Sequence, residues 1–396
     1  MNISEVKKVK TAVVGCGMIS NIYLRNLKHL FAIIDLAAVC DIYAPAAEEK
    51  AKTYGVEKVM TLDEIAADPS IELVVNLTAP TAHYSVVKQM LEAGKHVYTE
   101  KMFTTDLAQA RELVALAEEK GLMIAVAPDT VLGAGVQTAR KLIDTGLAGR
   151  ITSGFVSVSR NQNLNSEMFK FLQKPGGALP YDVGIYYIGA LIALLGSVES
   201  VSGFGAPALH HEKELLFDEK NPDSWTIPGN NVVTAALKFA CGALVSVHFN
   251  GNAVGLERHS FELYGTEAIL AIGDPDTFGG PTQLIRPESD AVTMPFTHGY
   301  NGVNMLPEKS PFDGYGHRGI GVAELAWSIR QGRKNRLSKE YGLHCQEVLQ
   351  GIDEAVRTGR TYEVQSRCDV RPLKSGFYSS TFNGGGRADA ERSLME

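Results

Sequence analysis

Lys101 is the residue of this chain whose position most strongly indicates chemistry. It comes two residues after a strand-like stretch, 95–99, and about eighty residues after a glycine turn suited to a dinucleotide pyrophosphate. Open parallel sheets bind ligands at the carboxyl ends of their strands, so this ammonium group is expected where a bound nucleotide would lie. A cation there can stabilise charge or exchange a proton with a ligand, which makes Lys101 a catalytic candidate.

The glycine turn lies between a β-branched run, 9–14, and an amphipathic segment, 21–30, which predicts strand, turn and helix in that order. Gly15 permits a tight turn, Gly17 lets the backbone approach a pyrophosphate, and Ser20 is small enough for close helix packing. The turn residues that we predict to bind the cofactor are Gly15, Gly17, Met18 and Ile19.

Asp41 follows the next predicted strand, 35–40, about twenty residues past the turn, where a carboxylate accepts hydrogen bonds from an adenosine ribose. The next residue is Ile42 and not a basic one, so a 2′-phosphate would be repelled without compensation. The sequence therefore favours NAD over NADP. A plainer alternative is that Asp41 only starts a turn after a strand.

Strands and helices alternate up to about residue 130, which predicts a doubly wound parallel sheet of the Rossmann type. Thr61 and Glu64 form a capping box for one short helix. The other predicted helices are 45–54, 81–93 and 106–120, and the further strands are 73–77, 95–99 and 123–127. We expect residues 1–130 to form the nucleotide-binding domain.

Composition limits the function classes. The chain has 396 residues, enough for two medium cores, and its net charge of -7 argues against nucleic acid as a partner. The amino terminus is polar, and the most apolar later stretch, 186–195, is about half the length needed to cross a bilayer. We therefore expect a cytoplasmic protein with no membrane partner.

No metal is predicted. The five cysteines are odd in number and widely spaced, so neither a disulfide framework nor a zinc site is expected. His210 and His211 stand together in a polar insertion, 209–230, that also holds Trp225. Adjacent residues on an extended loop point apart, and no carboxylate spacing supports a metal site there.

Four motifs resemble those of the Gfo/Idh/MocA oxidoreductases, a family named for glucose-fructose oxidoreductase, inositol dehydrogenase and a rhizopine-catabolism protein. In order, the motifs are Gly15-Cys16-Gly17, Thr78-Ala79-Pro80-Thr81-Ala82-His83, Ala93-Gly94-Lys95-His96-Val97 and Glu100-Lys101. The likeness covers most of the chain. It implies an NAD(P)-dependent oxidoreductase that acts on CH–OH groups.

The family's Glu-Lys-Pro motif stands here as Glu100-Lys101-Met102, with its glutamate and lysine retained. The resemblance implies that Lys101 lies near the nicotinamide and the substrate hydroxyl, and that Glu100 helps to position the cofactor. The further residues that it places at the cofactor site are Thr78, Pro80 and His83.

A second family signature, Gly-Gly-x-x-x-x-Asp-x-Gly-x-His, is similar to residues 176–186, where Asp182 is retained and Tyr186 replaces the histidine. The same change occurs in the branch that contains glucose-fructose oxidoreductase and dimeric dihydrodiol dehydrogenase. The resemblance implies that Asp182 and Tyr186 belong to the catalytic site, and it leaves the proton acceptor open.

Oxidation of a secondary alcohol needs a hydride acceptor, a proton acceptor and a means of holding the reacting C–H bond. Asp182 and Tyr186 are four residues apart in a segment predicted to be helical, which places them on one face. The ammonium of Lys101 would stabilise a phenolate of Tyr186, but Lys101 could also be the base if the oxidised cofactor lowered its pKa. Both assignments stay open, as does a purely structural role for Tyr186 in the core.

The second half of the chain changes to alternating strands joined by turns, at 151–160, 232–239, 243–249, 259–264 and 268–272. With the resemblance, this pattern predicts that residues 131–396 form an α+β domain on an open, mostly antiparallel sheet. The resemblance also implies that one face of this sheet forms a subunit contact, so we expect a homo-oligomer, either a dimer or a tetramer.

Two segments, 279–281 and 298–317, are predicted to be long loops that border a substrate cleft. Within them, His298, Tyr300 and His317 are candidate contacts for sugar hydroxyls. The glycine-rich carboxyl-terminal tail either lacks a fixed structure or reaches a neighbouring subunit.

The leading hypothesis is an NAD-dependent dehydrogenase that oxidises a ring secondary hydroxyl of a sugar, glycoside or cyclitol, a substrate class that comes from the resemblance. A dihydrodiol dehydrogenase or keto-sugar reductase is a close alternative, because hydride transfer is reversible and Tyr186 fits that branch. A non-enzymatic, nucleotide-sensing regulator is a third, since the family includes a repressor of galactose genes. The presence of Lys101, Asp182 and Tyr186 argues against the regulator.

Overall fold

The structure, a computed structural model, describes residues 6–209, 226–255, 257–303, 306, 316–375, 391 and 394. Within these residues the chain forms two β-sheets with helices around them. His210, His211 and Trp225 lie outside the described residues.

The first sheet consists of β1 (Val9–Val14), β2 (Ile34–Cys40), β3 (Lys58–Val59), β4 (Leu73–Asn76), β5 (His96–Thr99) and β6 (Ile124–Val126). The strands are all parallel and lie in the order β3-β2-β1-β4-β5-β6, which confirms the predicted doubly wound sheet. The order reverses between β1 and β4, and open sheets of this kind bind ligands in the crevice at that point.

The helices of the first domain are α1 (Ser20–His29), α2 (Ala44–Tyr54), α3 (Leu62–Ala67), α4 (Pro80–Glu92) and α5 (Leu107–Glu119). Local signals set their ends. The Thr61 hydroxyl accepts the Glu64 amide at 3.2 Å, and the Glu64 carboxylate accepts the Thr61 amide at 2.7 Å, which is the predicted capping box. Gly55 ends α2 with a φ of 66°, a conformation that favours glycine.

The second sheet follows α6 (Ala134–Asp144). Its strands are β7 (Ile151–Ser159), β8 (Val198–Pro207), β9 (Asn230–Phe239), β10 (Leu244–Asn250), β11 (Arg258–Gly265), β12 (Ile269–Ile272), β13 (Thr282–Ile285), β14 (Val292–Thr293) and β15 (Tyr362–Glu363). They lie in the order β14-β13-β12-β11-β7-β10-β9-β8-β15. Only the pairing of β7 with β10 is parallel among these described strands, which confirms the predicted open, mostly antiparallel sheet.

The remaining helices are α7 (Gln162–Met168), α8 (Ile185–Leu195), α9 (Ile320–Gln331) and α10 (Lys339–Thr358). A 3₁₀ turn spans Lys170–Gln173, and a π-helical turn, Pro180–Gly184, leads directly into α8. Helix α10 packs against β8 of the second sheet, against β6 of the first sheet and against helix α5. The carboxyl-terminal part of the chain therefore joins the two sheets.

The two sheets differ in how they are covered. Every residue of β4 is buried, as expected for a parallel strand with helices on both faces. Along β9 and β10, buried and more accessible residues alternate, so that one face of the second sheet is turned outward. This outer face carries Phe155 and Leu244, which are 42% and 58% exposed. Among the described helices, none has the length and apolar character needed to cross a bilayer.

The end of the carboxyl-terminal tail contacts its own chain. The carboxylate of Glu391 accepts the Trp327 indole N–H at 2.8 Å and the Ile33 amide at 3.3 Å. The Leu394 carbonyl accepts a hydrogen bond from Arg333. These contacts place residues 391 and 394 against α9 and the start of β2.

Candidate active site

A cavity of about 710 Å³ lies between the carboxyl edge of the first sheet and the second domain. One side is formed by the glycine turn after β1 and by the loops after β4 and β5. The other side is formed mainly by Arg160 and by residues from 168–172 and 181–186. This volume is within the usual range of small-molecule sites, and its position matches the crevice expected for this fold.

The glycine turn has the geometry that a pyrophosphate site requires. Gly15 has a φ of 100°, and a Cβ built there would lie 2.6 Å from the backbone carbon of Leu77, so only glycine fits. A Cβ built on Gly17 would meet no atom within 4 Å, so the backbone there is open to a ligand. In the described part of the chain, the amides of Met18 and Ile19 have no backbone acceptor, and they remain available to an anion.

Asp41 holds the end of β2 against the glycine turn. One carboxylate oxygen accepts the Cys16 amide at 2.7 Å, and the other accepts the Tyr43 amide at 2.8 Å. Each oxygen keeps a second lone pair, so the fixed carboxylate can still accept a hydroxyl. The side chain lies outside the cavity lining, beside Ile42, which is exposed.

His83 is fully buried and braces two loops of the cavity. Its ring nitrogens face the carbonyl oxygens of Met102 and Thr78, the latter at 2.9 Å. Burial lowers the pKa of His83, against the effect of these two hydrogen bonds. Thr78 and Pro80 line the cavity, whereas His83 acts on it through the loops that it joins. The Lys101–Met102 peptide bond beside it is cis.

Glu100 is held in place by neutral donors. Its carboxylate accepts the Tyr23 hydroxyl at 2.6 Å and, with the other oxygen, the Lys101 amide at 3.0 Å. The hydroxyls of Tyr23 and Tyr98 lie 2.9 Å apart. Burial raises the pKa of both tyrosines well above its usual value, and the carboxylates of Asp129 and Glu100 add to this, so both phenols stay protonated.

Lys101 and Asp182 meet across the cavity from the two domains. The Lys101 ammonium donates to a carboxylate oxygen of Asp182 at 2.8 Å and to its backbone carbonyl at 2.7 Å. The second carboxylate oxygen accepts Arg160 and, at 3.1 Å, the amide of Gln162. Burial would raise the pKa of Asp182, but the charges of Lys101 and Arg160 and these hydrogen bonds lower it below its usual value. Asp182 is therefore a buried, fully engaged carboxylate.

Tyr186 lies between two cations. The Lys101 ammonium nitrogen is 5.4 Å from the centre of its ring, and the Arg318 guanidinium carbon is 5.1 Å from it. Its hydroxyl oxygen accepts a hydrogen bond from Arg318 at 3.0 Å. The cation bonded to the phenol oxygen is thus Arg318, whereas the sequence suggested Lys101. Burial raises the pKa of Tyr186 well above its usual value, and Arg318 opposes that rise.

Arg318 is itself fixed by two carboxylates. It donates to Asp276 at 2.8 Å and to Asp129 at 3.4 Å. The second oxygen of Asp129 accepts the amides of Gly319 and Gly321, at 2.8 and 3.3 Å. Burial raises the pKa of Asp129 to about 6, although the charge of Arg318 lowers it. The guanidinium is therefore held in one orientation toward Tyr186.

The predicted site residues fall into two groups. Nine of them line the cavity: Gly17, Met18, Ile19, Thr78, Pro80, Glu100, Lys101, Asp182 and Tyr186. Three support it from outside: Gly15, Asp41 and His83. The predicted set omitted five polar residues of the site: Asp129, Arg160, Gln162, Asp276 and Arg318. No motif in the sequence marked these five.

The loop residues suggested as sugar contacts do not reach the cavity. His298, Tyr300 and His317 are 2%, 3% and 2% exposed, and none of them lines it. The His298 ring nitrogens lie 2.9 Å from the Thr297 hydroxyl and 3.1 Å from the carbonyl of Leu373. Burial lowers the pKa of His317 to about 4. The expectation was wrong because these side chains pack inside the loops and do not project from them.

Among the described residues, Glu257, His259 and Asp274 place potential metal-ligating atoms within 4.8 Å of one another. Glu257 and His259 are exposed, and the two carboxylates already contact Arg160 and Tyr187. Exposed groups of this kind are common without an ion, so this cluster alone does not define a metal centre.

Two family models match the chain. Residues 9–127 match the oxidoreductase family with an NAD-binding Rossmann fold known as Gfo/Idh/MocA, and residues 136–271 match the family's carboxyl-terminal domain. The chain therefore belongs to the Gfo/Idh/MocA oxidoreductase family.

The chain is also similar to individual members. It is 37% identical to an uncharacterized oxidoreductase of Schizosaccharomyces pombe over 197 residues, which are 49% of this chain but only 53% of that protein. It is 28% identical to a scyllo-inositol 2-dehydrogenase (NADP(+)) of Bacillus subtilis over 370 residues, 90% of this chain and 96% of that one. A solved levoglucosan dehydrogenase, in complex with NADH and levoglucosan, has the same fold, with a TM-score of 0.75 at 18% identity over 91% of this chain and 100% of that one.

Proposed function

We propose that the protein is an NAD-dependent dehydrogenase that oxidises a ring secondary hydroxyl of a sugar, glycoside or cyclitol. The observation that carries this proposal is the meeting of Lys101, Asp182 and Tyr186 in one cavity beside the glycine turn. The 2.8 Å contact between Lys101 and Asp182 joins the two domains at that point. The named activities of the inositol and levoglucosan dehydrogenases support the substrate class.

The reaction removes a hydride from the carbinol carbon and a proton from its oxygen, and leaves a ketone. NAD, when bound, takes the hydride. The residues that would hold NAD are those of the glycine turn, with Asp41 at the ribose end and Thr78, Pro80 and Glu100 at the cavity. Asp41 with Ile42 beside it offers no cation to a 2′-phosphate, which favours NAD, although the Bacillus subtilis relative is named for NADP.

Lys101 acts as a cation in this proposal. Two of its three N–H bonds are directed at oxygens of Asp182, so one remains for the substrate hydroxyl. Lys101 therefore orients the hydroxyl and stabilises negative charge on its oxygen.

Tyr186 transfers the proton. Arg318 donates to its hydroxyl oxygen, so the proton of the phenol is directed elsewhere and is free to bond a substrate oxygen. During oxidation, the phenolate would be stabilised by Arg318 and Lys101. In the reverse direction, the neutral phenol would donate to a carbonyl oxygen. The raised pKa of Tyr186 favours this neutral form and supports keto-sugar reduction as the second candidate function.

A homo-oligomer is part of the same proposal. Phe155 and Leu244 are large apolar side chains on the outer face of the second sheet, which suits a subunit contact. Analytical ultracentrifugation of the wild-type chain and of Leu244→Glu tests this contact. A monomeric wild type would refute it.

The function is tested by measuring NAD reduction with a panel of monosaccharides, methyl glycosides, inositols and dihydrodiols. We expect turnover of at least one ring polyol, and we expect Lys101→Ala to lower kcat about a hundredfold to ten-thousandfold while NAD binding persists. Tight NAD binding without turnover of any compound, in either direction, would instead support a nucleotide-sensing regulator. Recovery of NADP in preference to NAD from the purified protein would refute the cofactor assignment.

A further inference from the structure

The segment 168–172 forms a wall of the cavity that differs chemically from the polar residues around Lys101. It contributes four apolar residues and one cation, which are Met168, Phe169, Phe171, Leu172 and Lys170. Of the apolar side chains, Met168 is 75% and Phe171 is 43% exposed. Large apolar side chains that face a binding cavity favour a ligand that can cover them. The C–H face of a single sugar ring can cover one phenylalanine ring, so two phenylalanines and a methionine leave room for a further apolar group.

This wall is tied to the catalytic residues. The ring centres of Phe169 and Phe171 lie 6.3 Å apart, and the Leu172 amide donates to the Phe169 carbonyl at 2.9 Å. A Cβ on Gly177 would lie 1.9 Å from the Leu172 carbonyl oxygen, so the wall packs directly on the turn that precedes Asp182. Gln162, in the helix before the wall, bonds both Asp182 and the Gly177 carbonyl. The position of the wall relative to Asp182 is therefore fixed.

The wall and the residues that suit the cofactor come from different domains. Those residues, Gly17 to Ile19 with Thr78 and Pro80, belong to the first domain. The wall belongs to the second domain, together with Arg160 and Asp182. A substrate held by Lys101 and Asp182 can therefore extend along the wall.

Three of the cations at the site are already paired: Lys101 with Asp182, Arg160 with Asp182 and Glu257, and Arg318 with Asp129 and Asp276. Lys170, in the segment 168–172, also lines the cavity and is exposed. Charge alone therefore does not select the substrate ring.

We infer that the substrate is a glycoside, or an equivalent cyclitol ether, whose apolar and preferably aromatic substituent packs on Met168, Phe169 and Phe171. This inference rests on the proposed dehydrogenase function and names its substrate class. An aromatic substituent offers a flat apolar face to both phenylalanine rings, while the hydroxylated ring keeps its contacts with Lys101.

The test compares methyl glucoside and phenyl glucoside, in both anomers, as substrates with NAD. We expect kcat/KM for the phenyl glucoside to exceed that for the methyl glucoside about tenfold to a hundredfold, mainly through KM. In Phe171→Ala and Met168→Ser, the ratio of phenyl to methyl should fall toward one. Phe204→Ala, at an exposed phenylalanine of β8 that does not line the cavity, should keep the wild-type ratio.

Equal kcat/KM for methyl and phenyl glucosides, or a preference unchanged in both wall variants, would overturn the inference while leaving the dehydrogenase proposal intact. If no glucoside is oxidised, calorimetric titration of the NAD-saturated protein with phenyl glucoside tests the wall independently of turnover. Binding of phenyl glucoside that is lost in Phe171→Ala would support the role of the wall in binding even though the compound is not oxidised. The absence of such binding would overturn the inference.

Discussion

Arg318 donates a hydrogen bond to the hydroxyl oxygen of Tyr186 at 3.0 Å, although the two residues are 132 positions apart in the chain. Asp129 and Asp276 hold the guanidinium from the other side. The contact gives the phenol a fixed donor on its oxygen and leaves its own proton for a ligand. In the proposed reaction, Arg318 is therefore a positioning residue for Tyr186.

We predict that Arg318→Gln lowers kcat for oxidation about tenfold to a hundredfold, because the phenolate that must take the proton loses its cation and is less populated. The pH dependence of kcat separates this role from a structural one. Removal of the cation should move the fall of kcat at low pH to higher pH values. Arg318→Lys should restore part of the rate, since it keeps the charge but not the planar fork. An Arg318→Gln profile that coincides with that of the wild type would contradict the assignment.

Asp129 should make the activity depend on pH near 6. Burial raises the pKa of this carboxyl to about 6, so it takes up a proton as the pH falls through that value and then holds the Arg318 guanidinium less firmly toward Tyr186. We expect kcat to decrease below about pH 6 in the wild type, and we expect Asp129→Asn to lack this limb while being slower at all pH values. If the fall of kcat below about pH 6 persists unchanged in Asp129→Asn, it is caused by the titration of another group.

The raised pKa of Asp129 also makes the stability of the folded protein depend on pH. The folded protein binds the Asp129 proton more tightly than the unfolded chain, whose pKa is about 4. Between about pH 4 and pH 6, this residue therefore lowers the free energy of unfolding as the pH rises. Urea unfolding of the wild type and Asp129→Asn across that range measures the difference.

The two glycines of the turn should respond differently to alanine. Gly15→Ala forces a side chain into a φ of 100° and to within 2.6 Å of the Leu77 backbone, so it should lower the melting temperature by several degrees. Gly17→Ala meets no atom within 4 Å, so the fold should be as stable as that of the wild type while NAD affinity falls about tenfold or more. Calorimetric titration and thermal unfolding together separate the two effects. If Gly17→Ala and the wild type bind NAD with equal affinity, the pyrophosphate does not bind at this turn.

Asp41 should set the preference between the two nicotinamide cofactors. Asp41→Asn keeps the size of the side chain and one acceptor oxygen but removes the charge, so repulsion of a 2′-phosphate is relieved. We expect the ratio of kcat/KM for NAD to that for NADP to fall about tenfold or more. A wild type that already prefers NADP would refute the role given to this carboxylate.

The sequence predicted those parts of the molecule that depend on local pattern. The glycine turn, the capping box at Thr61 and the alternation of strands and helices each follow from residues close together in the chain, and all three agree with the structure. The Lys101 and Asp182 pair was reached through family motifs and was not derivable from spacing. Their meeting depends on how the two domains pack.

Arg318 shows why the other polar residues of the site could not be predicted from the sequence. It stands in a loop in which the residue predicted to contact a sugar was the neighbouring His317. In the fold, His317 turns inward against Phe278 and Tyr300, and the next residue points to Tyr186. The side of the loop that faces the cavity is decided by tertiary packing, which one sequence does not encode in any local pattern.

The proposed alcohol oxidation is tested most sharply by following deuterium from the carbinol carbon of the best ring polyol of the panel into NADH. We expect the NADH formed to carry the label, and we expect Lys101→Ala to form it about a hundredfold more slowly or worse while still binding NAD. Tight NAD binding with no labelled NADH from any ring polyol, or an undiminished rate in Lys101→Ala, would contradict it.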